Sequence, residues 1–343
     1  MVFFLAAVDG YLIEDCTIRN CGLSGILIYG TEEDWPPITN GIIRGNEIVD
    51  MDPVHGDGIT LHKSDGDNQG DIGPNHLLEN NRIGNCGENA YDLTAGSYIT
   101  VRNCEGYGSR QIEASIGHNA TDIWIDRCYF HDGERSGISV GPSTRVKISN
   151  TIVENMAYHS LIVGDTSGNE RPVTNVKLYN NSIYHTSSAS VFDVSKGVND
   201  LQFKKNIVME TESPLFLRYL SNASPSETNS DFTNNIWWRS NQSIDRFAYD
   251  DSDTKIFYFS YWQDHYGQGS NSLFAEPDCI DAAGGDYHLQ EESAGIDTGF
   301  NVGIVDDFEG NSRPQGKQVD IGAFEYLQQK KKSSMFFTAS RGT

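Results

Sequence analysis

The chain has 343 residues, with 25 Lys and Arg against 48 Asp and Glu, for a formal charge of −23. A chain this negative lacks the basic stripe that releases counterions from a phosphate backbone, which argues against a nucleic-acid partner. Sixteen Tyr, sixteen Phe and five Trp carry more aromatic surface than solvated acidic tails do, so the acidity does not signal disorder.

The first apolar run, Val2 to Val8, is far short of the roughly 20 residues that cross a bilayer, and no membrane span is expected. It also lacks a basic n-region and a full h-region. It reads as at most the remnant of a signal peptide or the cut edge of a longer product.

From Leu12 onward, two kinds of short apolar segment alternate. The first reads LIEDCTI, IIRGNEI, HLLENNRI, ITVRNCEG, IWIDRCYF, VKISNTIV, VKLYNNSI and LQFKKNIV. Aligning these places Cys16, Asn46, Asn81, Cys104, Cys128, Thr151, Asn181 and Asn206 in one column, at spacings of 30, 35, 23, 24, 23, 30 and 25. The second kind reads GILIY, GITLH, AYDLT, QIEAS, GISVG, SLIVG, VFDVS and PLFLR. A repeat of about two dozen residues with corner insertions indicates a solenoid. Period-2 alternation over four or five residues makes its units β-coils, not helix pairs. An inward Asn at a tight bend can bond backbone groups and its own copies one coil away while tolerating the left-handed φ of the bend.

These coils and their Asn column resemble the right-handed parallel β-helix family, the pectate-lyase-like superfamily, over about residues 10–235. The resemblance implies an all-β fold, a right-handed parallel β-helix solenoid of about eight or more coils spanning residues 1–235. After Asn235 the repeat fades. Residues 236–328 resemble the closing module of secreted β-helix proteins and are expected to cap the open end, and residues 329–343 are read as a disordered tail. The resemblance also implies a secreted, extracellular or periplasmic location. The first recognisable coil begins at Tyr11, so N-terminal coils are expected to be missing or that edge to be covered by a partner.

Six Cys in an exported chain would allow three disulfides. Cys16, Cys104 and Cys128 fall in the ladder column, however, and Cys21 and Cys86 share a second column with Met51 and Met156, so reduced core thiols are expected. The loop from Asp65 to Asp71 faintly resembles a calcium loop but lacks the closing bidentate Glu, and reads as a polar insertion.

A β-helix buries one side of each strand, so chemistry must come from outward positions and corners. In the second segment the apolar pairs Ile59/Leu61, Tyr91/Leu93, Ile112/Ala114 and Ile138/Val140 leave Thr60, Asp92, Glu113 and Ser139 outward. This predicts Asp92 and Glu113 side by side on adjacent coils. A neighbouring column reads Asp57, Asn89, Arg110, Ser136 and His159, and one face gathers these with His55, His62, Lys63, Glu88 and Arg135. Stacked like charges need a cation or a shared proton, so the cluster is the candidate groove.

The resemblance implies an extended polysaccharide along the coils, and its reaction types are polysaccharide lyase, C-5 epimerase and glycoside hydrolase. In the lyases and epimerases a base removes the proton at C5 beside a uronate carboxylate that Ca²⁺ or Arg must first neutralise. The expected assignment is Asp57, Glu88, Asp92 and Glu113 to Ca²⁺, Arg110 to the substrate carboxylate, and Lys63 or His62 to proton abstraction. His55, Asn89, Arg135 and His159 are expected to line subsites. The hydrolase alternative uses Asp92 and Glu113 as acid and nucleophile. No epimerase-type DPH run is present, because Asp52-Pro53 is followed by Val54. A non-catalytic glycan-binding adhesin or fibre is the remaining alternative.

Overall fold

The structure, a computed structural model, describes residues 3–5, 7–30, 36–63, 72–165, 171–213, 215–220, 223–224, 226–240, 246–251 and 255–327. Within these, each coil supplies one strand to each of three sheets. Sheet A has eleven strands, from Phe3–Leu5 to Lys255–Phe257, sheet B nine, from Asp9–Glu14 to Ser230–Asp231, and sheet C ten, from Thr17–Arg19 to Leu273–Phe274. Pairing is parallel throughout these sheets except where Ala248–Asp250 meets Lys255–Phe257. Segments of the first kind each fold into a sheet B strand and a sheet C strand, and segments of the second kind form sheet A.

The corner between sheets B and C shows why the column works. The residue just before the ladder position takes the left-handed conformation, as at Gly45, Asn80, Asn103, Asn150, Asn180 and Asn234. The ladder residue itself does not, contrary to the expectation, and this frees its amide for bonding. Asn46 Nδ2 donates to Asn81 Oδ1 at 2.9 Å, Asn181 Nδ2 to Asn206 Oδ1 at 2.9 Å, and Asn206 Nδ2 to Asn235 Oδ1 at 3.1 Å. Cys104, Cys128 and Thr151 fill the same column between Asn81 and Asn181. All six cysteines are free thiols, three of them buried.

Apolar pairs from all three sheets fill one continuous core. At its last coil the core is covered by the helix Phe259–Tyr266, whose Trp262 and Phe259 rings both lie 4.9 Å from Phe247. This helix lies within the segment expected to close the solenoid. The rest of that segment follows it and lies along the outer face of sheet C, where Tyr287, Leu289, Ile321 and Phe324 build a second core with Ile152, Ile207, Met209 and Ile236. The left-handed corner residues tie it down. Asn150 Nδ2 donates to Asp306 O at 2.9 Å, Asn180 Nδ2 to Asp320 O at 2.9 Å and Asn234 Nδ2 to Thr298 O at 3.1 Å. No helix among the described residues is long and apolar enough to cross a membrane.

Candidate functional site

The outer face of sheet A is set by register. Thr60, Asp92, Ser115 and Ser139 occupy one outward column on successive strands, and Tyr29, His62 and Thr94 occupy the next. Polar side chains concentrate where the first two of these strands, Ile59–Lys63 and Asn89–Leu93, meet the corner from sheet C.

Asp57 is buried just ahead of the first strand. Its Oδ1 accepts from Asn89 N at 2.9 Å and Asn89 Nδ2 at 3.1 Å, and its Oδ2 from Thr60 Oγ1 at 3.2 Å. Ser24 Oγ then lies 3.0 Å from Thr60 Oγ1. Burial, reinforced by the Glu88 carboxylate, pushes the Asp57 carboxyl up to about 6 despite these donors. On the next coil Asp92 is raised well above the usual carboxylate range by burial and by the charge of Asp57, with the Thr94 hydroxyl partly offsetting this. Its Oδ1 is closed off from solvent without a hydrogen-bond partner. His62 Nδ1 lies 2.7 Å from Thr94 Oγ1, and its ring sits between Tyr29 and His118 with centroids 5.8 Å away on both sides. The site is thus a pair of neighbouring carboxyls, Asp57 and Asp92, of which Asp92 is held protonated, beside an imidazole bonded to Thr94.

Glu113 is not part of it. Asn89 pairs with Ile112 and Asp92 with Ser115, so the expected Asp92–Glu113 pair is two residues out of register. The inward pair on that strand is Ala114/Ile116, and Glu113 falls in the column of Ala90 and Gly137. It is fully buried, its two oxygens accept from Ser109 N and Ser109 Oγ at 2.8 Å each, and burial pushes its carboxyl up to about 7. Below about pH 7 this acid keeps its proton, and an amide mimics that form. Glu113→Gln is therefore expected to keep turnover within about twofold and to shift Tm by only a few degrees, as activity assays and thermal melts would show.

The other expected residues divide into a rim and a separate network. Arg110 is exposed, donates to Pro53 O and lies 3.6 Å from Glu134. With His55 and Arg135, both exposed, it belongs to the corner rather than to the carboxyl pair. His55 sits in a turn whose Asp52 Oδ1 accepts from Val54 N at 2.9 Å and His55 N at 3.0 Å. His159 belongs to the separate network. It is buried, with Nδ1 donating to Ser190 O at 2.8 Å and Nε2 at 3.3 Å from both Asp193 Oδ2 and Arg218. Lys63 ends its strand opposite Gly30. Its side chain lies outside the described residues, as does the loop Asp65–Asp71.

The Ca²⁺ expectation requires Asp57, Glu88, Asp92 and Glu113 to converge. With Glu113 elsewhere, no group of three or more His, Cys, Asp or Glu among the described residues is arranged to hold an ion. Asp57 has also spent its oxygens on Asn89 and Thr60. These residues do not fit the ion. Thr94 lies in the column just beyond the Tyr91/Leu93 pair, where sequence reasoning assigned it no role, and its hydroxyl meets His62 Nδ1 at 2.7 Å.

Among solved structures, the pectate lyase Pel9A aligns over 92% of this chain and 98% of its own, at 10% identity and a TM-score of 0.39. XylC in complex with xylose aligns over 90% of this chain and 67% of its own, at 12% identity and a TM-score of 0.39. No curated protein is similar in sequence. The family described as right handed beta helix region matches residues 3–170 and 73–243, two overlapping passes along the stacked coils described above. The chain belongs to the right-handed β-helix family.

Proposed function

We propose that the chain is a carbohydrate-active enzyme that holds an extended glycan along the outer face of sheet A and cleaves a uronic-acid-containing polysaccharide by β-elimination at Asp92 and His62. The observation that supports this best is the Asp57–Asp92 pair on adjacent coils, where burial and mutual repulsion keep a proton on Asp92. Coils rise by about 4.8 Å, comparable to one sugar residue of an extended chain, and Asp92, Ser115 and Ser139 follow one another in the outward column at that interval.

Elimination needs the uronate carboxylate neutralised before the C5 proton can leave. With Arg110 held at the corner, a protonated Asp92 takes that role by donating its hydrogen to the carboxylate, as acids in apolar sites do. His62 is the base. In the tautomer whose Nδ1–H donates to Thr94 Oγ1, Nε2 carries the lone pair that accepts the C5 proton. The C5 electron pair forms the C4–C5 double bond, the C4–O bond breaks, and the imidazolium returns its proton to the departing oxygen.

A hydrolase is the second reading, because two neighbouring carboxyls with pKa values pushed apart also suit acid and base roles. Incubation with alginate, pectate, chondroitin and neutral glucans separates the two. Ultraviolet absorbance of an unsaturated product on a uronan, unchanged by EDTA, is the expected result. Reducing ends without that absorbance favour hydrolysis, and silence in both overturns the enzymatic reading.

A further inference from the structure

We propose that the outer face of sheet B is a second, non-catalytic binding site for an anionic glycan, centred on Trp124. Binding there requires no chemistry at Asp92, and the site shares no residue with the sheet A face. Register places Trp124, Lys147 and Lys177 in one outward column on successive strands. Trp124 Nε1 donates to Ser149 Oγ at 2.9 Å, which fixes the plane of the indole. Lys147 Nζ lies 3.5 Å from the ring centroid and the Arg102 guanidinium 5.3 Å from it.

Neither Lys147 nor Lys177 has an ion-pair partner among the described residues, although the chain carries 48 Asp and Glu. Burial pulls the Lys147 ammonium below its ordinary range, with the Asp126 carboxylate opposing the shift and Lys177 and Arg102 adding to it. In a chain of net charge −23, two stacked lysines without a direct ion-pair partner among the described residues favour an anion beside them.

The surroundings select the kind of anion. The column opens onto a groove of about 610 Å³ whose lining includes Asn40, Asn75, Tyr98, Asp122 and Trp124. Tyr98 is 59% exposed and holds a left-handed φ of 52°, an uncommon conformation for a bulky residue, which projects its ring from the sheet. Indole and phenol rings pack against the C–H faces of sugars, and amides and the Thr100 hydroxyl suit sugar hydroxyls in the groove. Lys147 and Lys177, on the next two strands past Trp124, would meet carboxylates one coil apart. The acidic Asp122 in the same groove, together with the net charge, disfavours a nucleic acid.

The test uses full-length Asp92→Asn protein, so that the probe is not consumed. Oligogalacturonate, a neutral xylo-oligosaccharide and a short single-stranded DNA are each titrated by calorimetry and tryptophan fluorescence. Expected is binding of oligogalacturonate that weakens with salt, and an affinity loss of about tenfold or more on adding Trp124→Ala or the pair Lys147→Gln and Lys177→Gln. The lysine pair serves if the Trp124 variant does not fold. Affinity within about twofold of the parent in a folded variant, equal binding of the neutral sugar or the DNA, or no binding of oligogalacturonate would each overturn the proposal. Binding without turnover in the unsubstituted chain would uphold it while removing the sheet A reaction.

Discussion

Asp92→Asn is expected to lower kcat/KM on a uronan by about 10²- to 10³-fold, the range for removing one preorganised donor from a developing anion. Asparagine keeps the shape and can still donate, but it cannot share a proton with the substrate carboxylate. Thermal stability should hold or rise, because the substitution removes a carboxyl whose ionisation burial and Asp57 oppose. A fall in Tm of many degrees with a matching loss of activity would instead show that the pair is structural.

The pH dependence has a defined sign. Asp57 has a folded pKa raised from 3.8 to about 6, so its contribution to stability is fully present below pH 3.8 and is lost as pH rises through about 6. Asp92 shifts in the same direction. The Asp57 part of stability should therefore fall between pH 3.8 and about 6, and activity, which needs the proton on Asp92, should fall as pH rises through the raised Asp92 value. The difference in Tm between the unsubstituted chain and Asp57→Asn, measured across that window, isolates the contribution from the other carboxylates.

Much of this site was legible in the chain because a solenoid writes its geometry as columns. The pairs Ile59/Leu61, Tyr91/Leu93 and Ile138/Val140 stand in register as their alternation implies. The Ile112 strand slipped by two because I-E-A-S-I alternates equally well with Ile112/Ala114 or Ala114/Ile116 inside, and a two-residue shift keeps every side chain on its face. An exposed acid then looked natural at Glu113. Counting from the preceding turn resolves the ambiguity: Cys86 to Tyr91 is five residues, and five from Ser109 lands on Ala114. The packing of residues 276–327 had no such signal. Its apolar residues follow no period, and the Asn side chains that anchor it at Asn150, Asn180 and Asn234 look in sequence like ordinary turn residues.

Asn206→Ala is expected to produce the largest loss of stability, about 3–5 kcal/mol. The side chain is fully buried and makes four bonds. Its Oδ1 accepts from Asn181 N and Asn181 Nδ2, both at 2.9 Å, while its Nδ2 donates to Leu178 O at 3.0 Å and Asn235 Oδ1 at 3.1 Å. Truncation removes all four bonds. Asn235 Oδ1 keeps Asn206 N and Asn181 Nδ2 keeps Ile148 O, while Asn181 N loses its side-chain acceptor, and an unpaired buried polar group costs about 1–3 kcal/mol. The total falls below the simple sum because the bonds share atoms and a water can enter the vacated space. Asn206→Thr should recover part of the loss, since Thr151 fills the same column and its Oγ1 reaches Ser149 O at 3.0 Å and lies 3.4 Å from Cys128 N. Urea unfolding measures the loss, and hydrogen exchange locates it. In a stack coupled mainly to nearest neighbours, protection should fall first at Asn181 and Asn235 on either side. The anchors at Asn180 and Asn234 bridge that rung from outside, so the coils should loosen locally without separating. Equal loss of protection along the whole solenoid would show that the ladder acts as one cooperative unit rather than as a series of coil-to-coil bonds.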